Sequence, residues 1–145
     1  MMKVRSLRRS AFTLVEVLIV VIILGILAAV VIPQFSDATT DAKKSALTTN
    51  LQTIRGQLEL YRLQHNSAYP TLANLTTAMT AKTNADGTTT GTPQLGPYLQ
   101  SIPVNPYNNL ATVGNATAAT NTTGWRYDET NGKFTANDSV ANQAL

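Results

Sequence analysis

Hydrophobic positions change their spacing twice along the chain. From Phe12 to Ile32 they are continuous, interrupted by a single charge at Glu16, and from Val17 onward no polar residue intervenes. About 20 such residues carry a helix across a bilayer, whereas the apolar part of a secretory signal is commonly about 7 to 15. From Ser36 the composition turns polar, yet Leu47, Leu51, Ile54, Leu58 and Tyr61 recur at spacings of 4, 3, 4 and 3. That is one apolar stripe on a helix. Ala38, Ala42 and Ala46 carry helix-favouring positions back toward the apolar run, and Lys43, Lys44, Arg55, Glu59 and Arg62 fall mainly off the stripe. The pattern predicts one helix from Phe12 to about His65, roughly 80 Å long at 1.5 Å per residue.

Asn66 to Pro70 ends that helix, because proline lacks the amide and disfavours helix in the residue before it. Thr71 to Met79 reads as a short helix with Thr71 as its cap and Leu72, Leu75 and Met79 on one side. Lys82 to Thr92 is a polar loop, and Leu95 to Tyr107, with three prolines, is a packed extended connector. Gly124 to Tyr127 and Lys133 to Ala136, joined through Asn131-Gly132, predict a hairpin, with a weaker third strand around Leu110 to Val113. The residues after His65 are too few and too polar for a comfortable core of their own, so they are expected to pack on the Leu47 to Tyr61 stripe. The fold class is α+β, a long helix whose second half packs on a small antiparallel sheet. Its segments are a basic leader (1–11), a membrane or filament-core helix (12–35), an amphipathic helix (36–65) and a small head (66–145).

Composition narrows the chemistry. The chain has 145 residues, no cysteine and one histidine, His65, so disulfides, thiolate metal sites, a lipoprotein cysteine and cysteine nucleophiles are excluded. Catalysis is not expected. His65, beside Arg62, reads as a surface residue at a helix C-terminus, where a cation suits the dipole. The net charge of +3 invites a nucleic-acid reading, but Lys3, Arg5, Arg8 and Arg9 supply the excess, and the remaining 7 basic (11 − 4) and 8 acidic residues nearly balance. Basic residues stay in the cytoplasm, which places the N-terminus inside and the rest of a single-pass protein outside. Trp125, Tyr127 and Phe134 read as core or cross-strand partners, and the sequons at Asn74, Asn115, Asn121 and Asn137 as chance in a chain rich in Thr and Asn.

Glu16 is the anomaly. A carboxylate at membrane depth costs about 2.5 to 3.5 kcal/mol when central and less near an end. It can snorkel to the interface. Alternatively, cleavage after the small residue Ala11 would expose the α-amine of Phe12, one helical turn from Glu16, and the two groups could pair between neighbouring staggered copies. Val17 to Ile32 would then bury itself against identical helices. Gly25 and Pro33 weaken this helix, proline by about 3 kcal/mol and glycine by up to about 1, which reads as a kink.

The run from Arg8 through Ala11, Phe12, Glu16, Gly25 and Pro33 resembles the class III signal segment of type IV pilins and type II secretion pseudopilins. Tyr69-Pro70-Thr71, the stretch Gly96 to Pro106 and the Trp125 to Gly132 hairpin are similar to the head of G-type major pseudopilins. The resemblance implies a prepilin peptidase that cleaves between Ala11 and Phe12 and N-methylates Phe12, pairing of Glu16 with a neighbour's Phe12 amine, and a Gly25 to Pro33 stretch that can unwind. Where the family usually has glycine before the cut, this chain has Ala11. The implied partners are further copies, other pseudopilins or pilins, and an inner-membrane platform with its ATPase; no nucleic acid is expected. Many relatives of this type bind calcium in an acidic, glycine-rich loop; here Asn105 stands where aspartate is common and Asp138 is isolated, so no metal or cofactor site is assigned.

The reading is a structural subunit of a secretion pseudopilus, anchored in the inner membrane and assembled in the periplasm or at the surface. A surface pilus for adhesion, motility or DNA uptake is the rival within the class. A monomeric anchored binding protein is the rival outside it. Arg8-Arg9 with Phe12 and Leu14 also resembles a twin-arginine export signal cut after Ala38, against which Glu16 and the helical continuity past Pro33 both count.

Overall fold

The computed structural model describes residues 12–145; the leader, including Ala11, lies outside the described residues. The architecture is α+β and pilin-like. Helix α1 spans Leu14–Gln64, α2 spans Leu75–Thr80, and strands β1 (Val113–Asn115), β2 (Trp125–Asp128) and β3 (Lys133–Ala136) precede a 3₁₀ turn at Asn142–Ala144. The chain divides into two compact units between Thr40 and Asp41.

In the first unit α1 is long and apolar enough to cross a membrane, and none of its apolar window is buried within the chain. Branched residues such as Val and Ile are modest helix formers in water, but a helix satisfies every backbone group internally, as an apolar surrounding demands.

In the second unit the stripe forms one wall of the core. Leu47, Leu51, Ile54, Leu58 and Tyr61 are buried together with Leu75, Met79, Ile102, Trp125, Tyr127 and Phe134. Trp125 and Tyr127 share the inner face of β2, as the two-residue period requires. The connector closes over them: the Trp125 indole N–H donates to the Pro103 carbonyl at 2.8 Å, and the amides of Tyr98 and Leu99 donate to the Met79 carbonyl.

The sheet order is β1-β2-β3, with β2 and β3 antiparallel and Tyr127 opposite Phe134. Antiparallel pairing therefore does not extend to the whole sheet. β1 runs parallel to β2, Val113 opposite Trp125, because the polar loop 116–124 carries the chain back before the second strand begins. The third strand also lies later than the expected Leu110 to Val113. At the hairpin tip Gly132 takes φ +71°, and a Cβ there would lie 2.2 Å from the Tyr69 ring, so both backbone and space demand glycine. Asp128 braces the turn, its carboxylate accepting from the Thr130 amide and the Asn131 side chain.

The short helix starts later than expected, and Thr71 does not cap it. Asn74 precedes α2 and makes no side-chain cap. Thr71 to Asn74 instead form a turn, in which the Leu72 amide donates to the Glu129 carboxylate from the hairpin. A carboxylate from the hairpin thus holds this turn, where a hydroxyl cap was expected.

Candidate functional site

The functional candidates of the first unit begin where α1 begins. Thr13 and Glu16 form a reciprocal cap: the Glu16 carboxylate accepts from the Thr13 amide and hydroxyl, both at 2.8 Å, and the Glu16 amide donates to Thr13 Oγ1 at 3.2 Å. This is the S/T-x-x-E box that satisfies donors left free by the first turn, and it places negative charge at the positive end of the helix dipole. The sequence carries that signature at Thr13-Leu14-Val15-Glu16, a third use of the carboxylate beside snorkelling and pairing between copies. All three hydrogen bonds use Oε2 or the backbone; among the described residues Oε1 accepts none. No hydrogen bond joins Phe12 to Glu16 within the chain, and Phe12 is 83% exposed.

Beyond the cap, large apolar side chains from Leu14 to Phe35 are exposed on every side of the helix. Gly25 sits among them with nothing within 4 Å of the place its Cβ would take, so no contact within this chain requires glycine there. α1 continues unbroken through Gly25 and Pro33. An apolar surface covering a helix all round is stable only in lipid or against other apolar helices.

The second unit holds its part of α1 through polar contacts as well as the stripe. Arg55 Nε donates to the Phe134 carbonyl at 2.9 Å, its Nη1 donates to the Leu145 carbonyl at 2.8 Å, and the Tyr98 hydroxyl donates to Gln64 Oε1 at 2.6 Å. Arg62 pairs with Glu59 at 3.5 Å and lies over the Tyr69 ring, while the Tyr69 hydroxyl donates to the Glu59 carboxylate, which holds that phenol above its ordinary pKa. Burial raises the phenols of Tyr61, Tyr98 and Tyr127. In the 82–92 loop the Thr88 amide and hydroxyl donate to Asp86 and hold its carboxyl below the usual range.

His65 is not a surface residue. It is 3% exposed, stacked 3.6 Å from the Tyr61 ring and edge-on to Tyr98. Its Nδ1 lies 2.7 Å from the Tyr61 carbonyl, and since a carbonyl only accepts, Nδ1 carries a proton; Nε2 lies 2.8 Å from Thr83 Oγ1. The ring thereby serves one of the last carbonyls of α1, and the Thr83–Leu95 bridge folds the polar loop over it. Sequence spacing missed this because the covering residues come from 18 to 33 positions downstream. Replacing His65→Phe is expected to keep the stack and to cost about 1–3 kcal/mol through two unpaired buried groups. Urea unfolding followed by Trp125 fluorescence measures that loss.

Little here is arranged for bond-making chemistry. Both nitrogens of the one imidazole are engaged, and among the described residues no group of three or more His, Cys, Asp or Glu side chains converges. The oxygens around Asn105 and Asp138, where the resemblance would place calcium, already accept hydrogen bonds from asparagine amides, and only one carboxylate is among them. They do not fit a cation that takes six to eight oxygens.

Comparison with known proteins bears on both units. The family described as the prokaryotic N-terminal methylation motif matches residues 6–32, and the family described as type II secretion system, protein G, matches residues 34–123. The type II secretion system core protein G of Pseudomonas aeruginosa is 36% identical over 107 residues, 70% of this chain and 70% of that protein. Its counterpart in Vibrio cholerae is 34% identical over 70% of this chain and 68% of its own, and that of Klebsiella pneumoniae 30% identical over 70% and 71%. No solved structure matches the chain.

Proposed function

Since the chain belongs to the type II secretion system protein G family, we propose that it is a structural subunit of a secretion pseudopilus, trimmed between Ala11 and Phe12, N-methylated at Phe12 and polymerised through α1. The observation that carries this reading is the helix from Leu14 to Ile32, apolar and exposed on all sides, inside a segment matched by the methylation motif. As a precursor the segment sits in lipid with its basic leader in the cytoplasm. In the filament the same surface is covered by neighbouring helices, so subunits leave the membrane without exposing it to water.

Glu16 sets the stagger in this reading. Its free Oε1 faces the Phe12 amine of a neighbour, while Oε2 keeps the helix start closed. Gly25 and Pro33 lower the cost of bending or unwinding α1 during that transfer. Other pseudopilins, the prepilin peptidase and an ATPase-driven inner-membrane platform are the partners. No step requires the subunit to be an enzyme or to bind a cofactor.

Intact-mass and N-terminal peptide analysis of the protein from membranes of its native host tests the processing. The expected product begins at Phe12 and carries one extra methyl group. A product beginning at Met1, or one cut near Ala38, would overturn the reading and leave α1 as an anchor or an export signal.

A further inference from the structure

The loop 116–124 between β1 and β2 consists of small residues, alanine, threonine, asparagine and glycine, and contains no charged one, yet it is tied down at several points. Asn105 and Asn137 are both completely buried beside it. Asn105 Nδ2 donates to the Gly124 carbonyl at 2.9 Å and to Asp138 Oδ1 at 2.7 Å, while its Oδ1 accepts from the Tyr107 amide at 2.9 Å. Asn137 Nδ2 donates to the Ala119 carbonyl and to Thr123 Oγ1, both at 2.8 Å, and the Asn137 backbone carbonyl accepts from the Asn121 backbone amide. Asn108 Nδ2 donates to the Thr123 carbonyl at 3.0 Å, and Asn142 Nδ2 donates to Asp138 Oδ2 at 2.6 Å.

We propose that these asparagine amides occupy the electropositive positions a divalent cation would otherwise fill, so that the second unit, residues 41–145, folds and persists without calcium or any other divalent ion.

The chemistry is that of oxygen neutralisation. Backbone carbonyls turned inward from a loop need a positive partner, either a cation or a hydrogen-bond donor such as an N–H group. A calcium ion gathers six to eight oxygens around one point and usually needs several carboxylates to repay its desolvation. Here the inward oxygens of Ala119, Thr123 and Gly124 belong to three different amide groups, and both oxygens of Asp138 are taken by amides. An NH₂ group satisfies two acceptors in fixed directions and carries no net charge into the interior. Asn137 Oδ1 is buried without a partner, but a single neutral oxygen falls far short of the six to eight a calcium ion gathers. The Asn105 and Asn137 amides also join segments remote in sequence: 105 to 124, 105 to 138 and 119 to 137. The contacts thus close the loop as a bound ion would, with the closure written into the side chains.

The test uses the full chain in detergent micelles, with thermal unfolding followed by the fluorescence of buried Trp125 in EGTA and in calcium chloride at about 5 mM. The midpoint is expected to agree within about 1 °C in the two conditions, because an ion that binds neither state shifts nothing. A rise of several degrees with calcium, reversed by EGTA, overturns the proposal. Asn105→Asp replaces two donated hydrogen bonds by a carboxylate facing the Gly124 carbonyl and Asp138, at almost unchanged volume. In EGTA its midpoint is expected to fall by at least about 5 °C; a variant as stable as the wild type overturns the proposal as well. The wild-type comparison decides the matter even where the variant does not fold.

Discussion

Cells carrying Glu16→Ala are expected to form no filaments, although residues 41–145 still fold. The substitution removes two things at once, the local cap on Thr13 and the charge proposed to meet a neighbouring amine. Loss of a helix cap costs about 0.5–2 kcal/mol, whereas leaving one member of a buried ion pair alone costs about 3–5 kcal/mol. Repeated at every subunit, the second cost is incompatible with a filament. Glu16→Gln separates the two, because glutamine also closes a capping box but carries no charge. The glutamine variant is therefore expected to fail in assembly as alanine does, with α1 still inserted in the membrane. Electron microscopy of sheared or purified filaments reads the result directly. Normal filaments from the glutamine variant would reduce Glu16 to a cap, and a chain that never forms filaments, wild type included, would return the reading to an anchored monomer.

The largest effect in the head is expected from Gly124→Ala. A Cβ at this position would lie 1.9 Å from the Leu110 carbonyl oxygen and 2.6 Å from its carbon. Both are backbone atoms, so no rotamer change relieves the clash and one of two chain segments must move. The same residue's carbonyl accepts from Asn105 Nδ2 and from the Asn137 amide, so moving it breaks the contacts that close the loop. A loss of about 3 kcal/mol or more is expected, at the upper end of overpacking effects. Urea denaturation of the variant in micelles, compared with the wild type at equal m-value, checks it.

Elements specified by local periodicity were legible in the chain. The stripe from Leu47 to Tyr61 and the inner-facing Trp125, Tyr127 and Phe134 repeat at the helix and strand periods, and these residues are buried. The methylation-motif N-terminus was legible through its resemblance to the class III signal segment, in which Glu16, a carboxylate in an apolar run, is the residue that stands out. Three features depended on residues brought from afar. β1 contains Val113, Gly114 and Asn115, too short and too polar to read as a strand until β2 lies beside it. His65 looked exposed because nothing near it in sequence reveals Thr83 and Tyr98 as its cover. Thr71 offered a good local cap, but the chain makes a turn there instead, held by Glu129 from across the fold through the Leu72 amide. The stagger of copies is invisible for a different reason, since it is a property of several chains.

The span between the two walls of the core bears on timing. Arg55 on α1 grips the carbonyl of Phe134, 79 residues later, and the stripe has no other sheet to lie on. Non-local contacts of this kind form only after the intervening loop has closed, which slows folding relative to neighbouring contacts. While the chain is being made, the early helix therefore waits with one apolar face bare until the hairpin has emerged. Under the proposed function, which has the chain pass across a membrane, this orders maturation by translocation: the apolar helix is seated first, and the head closes last.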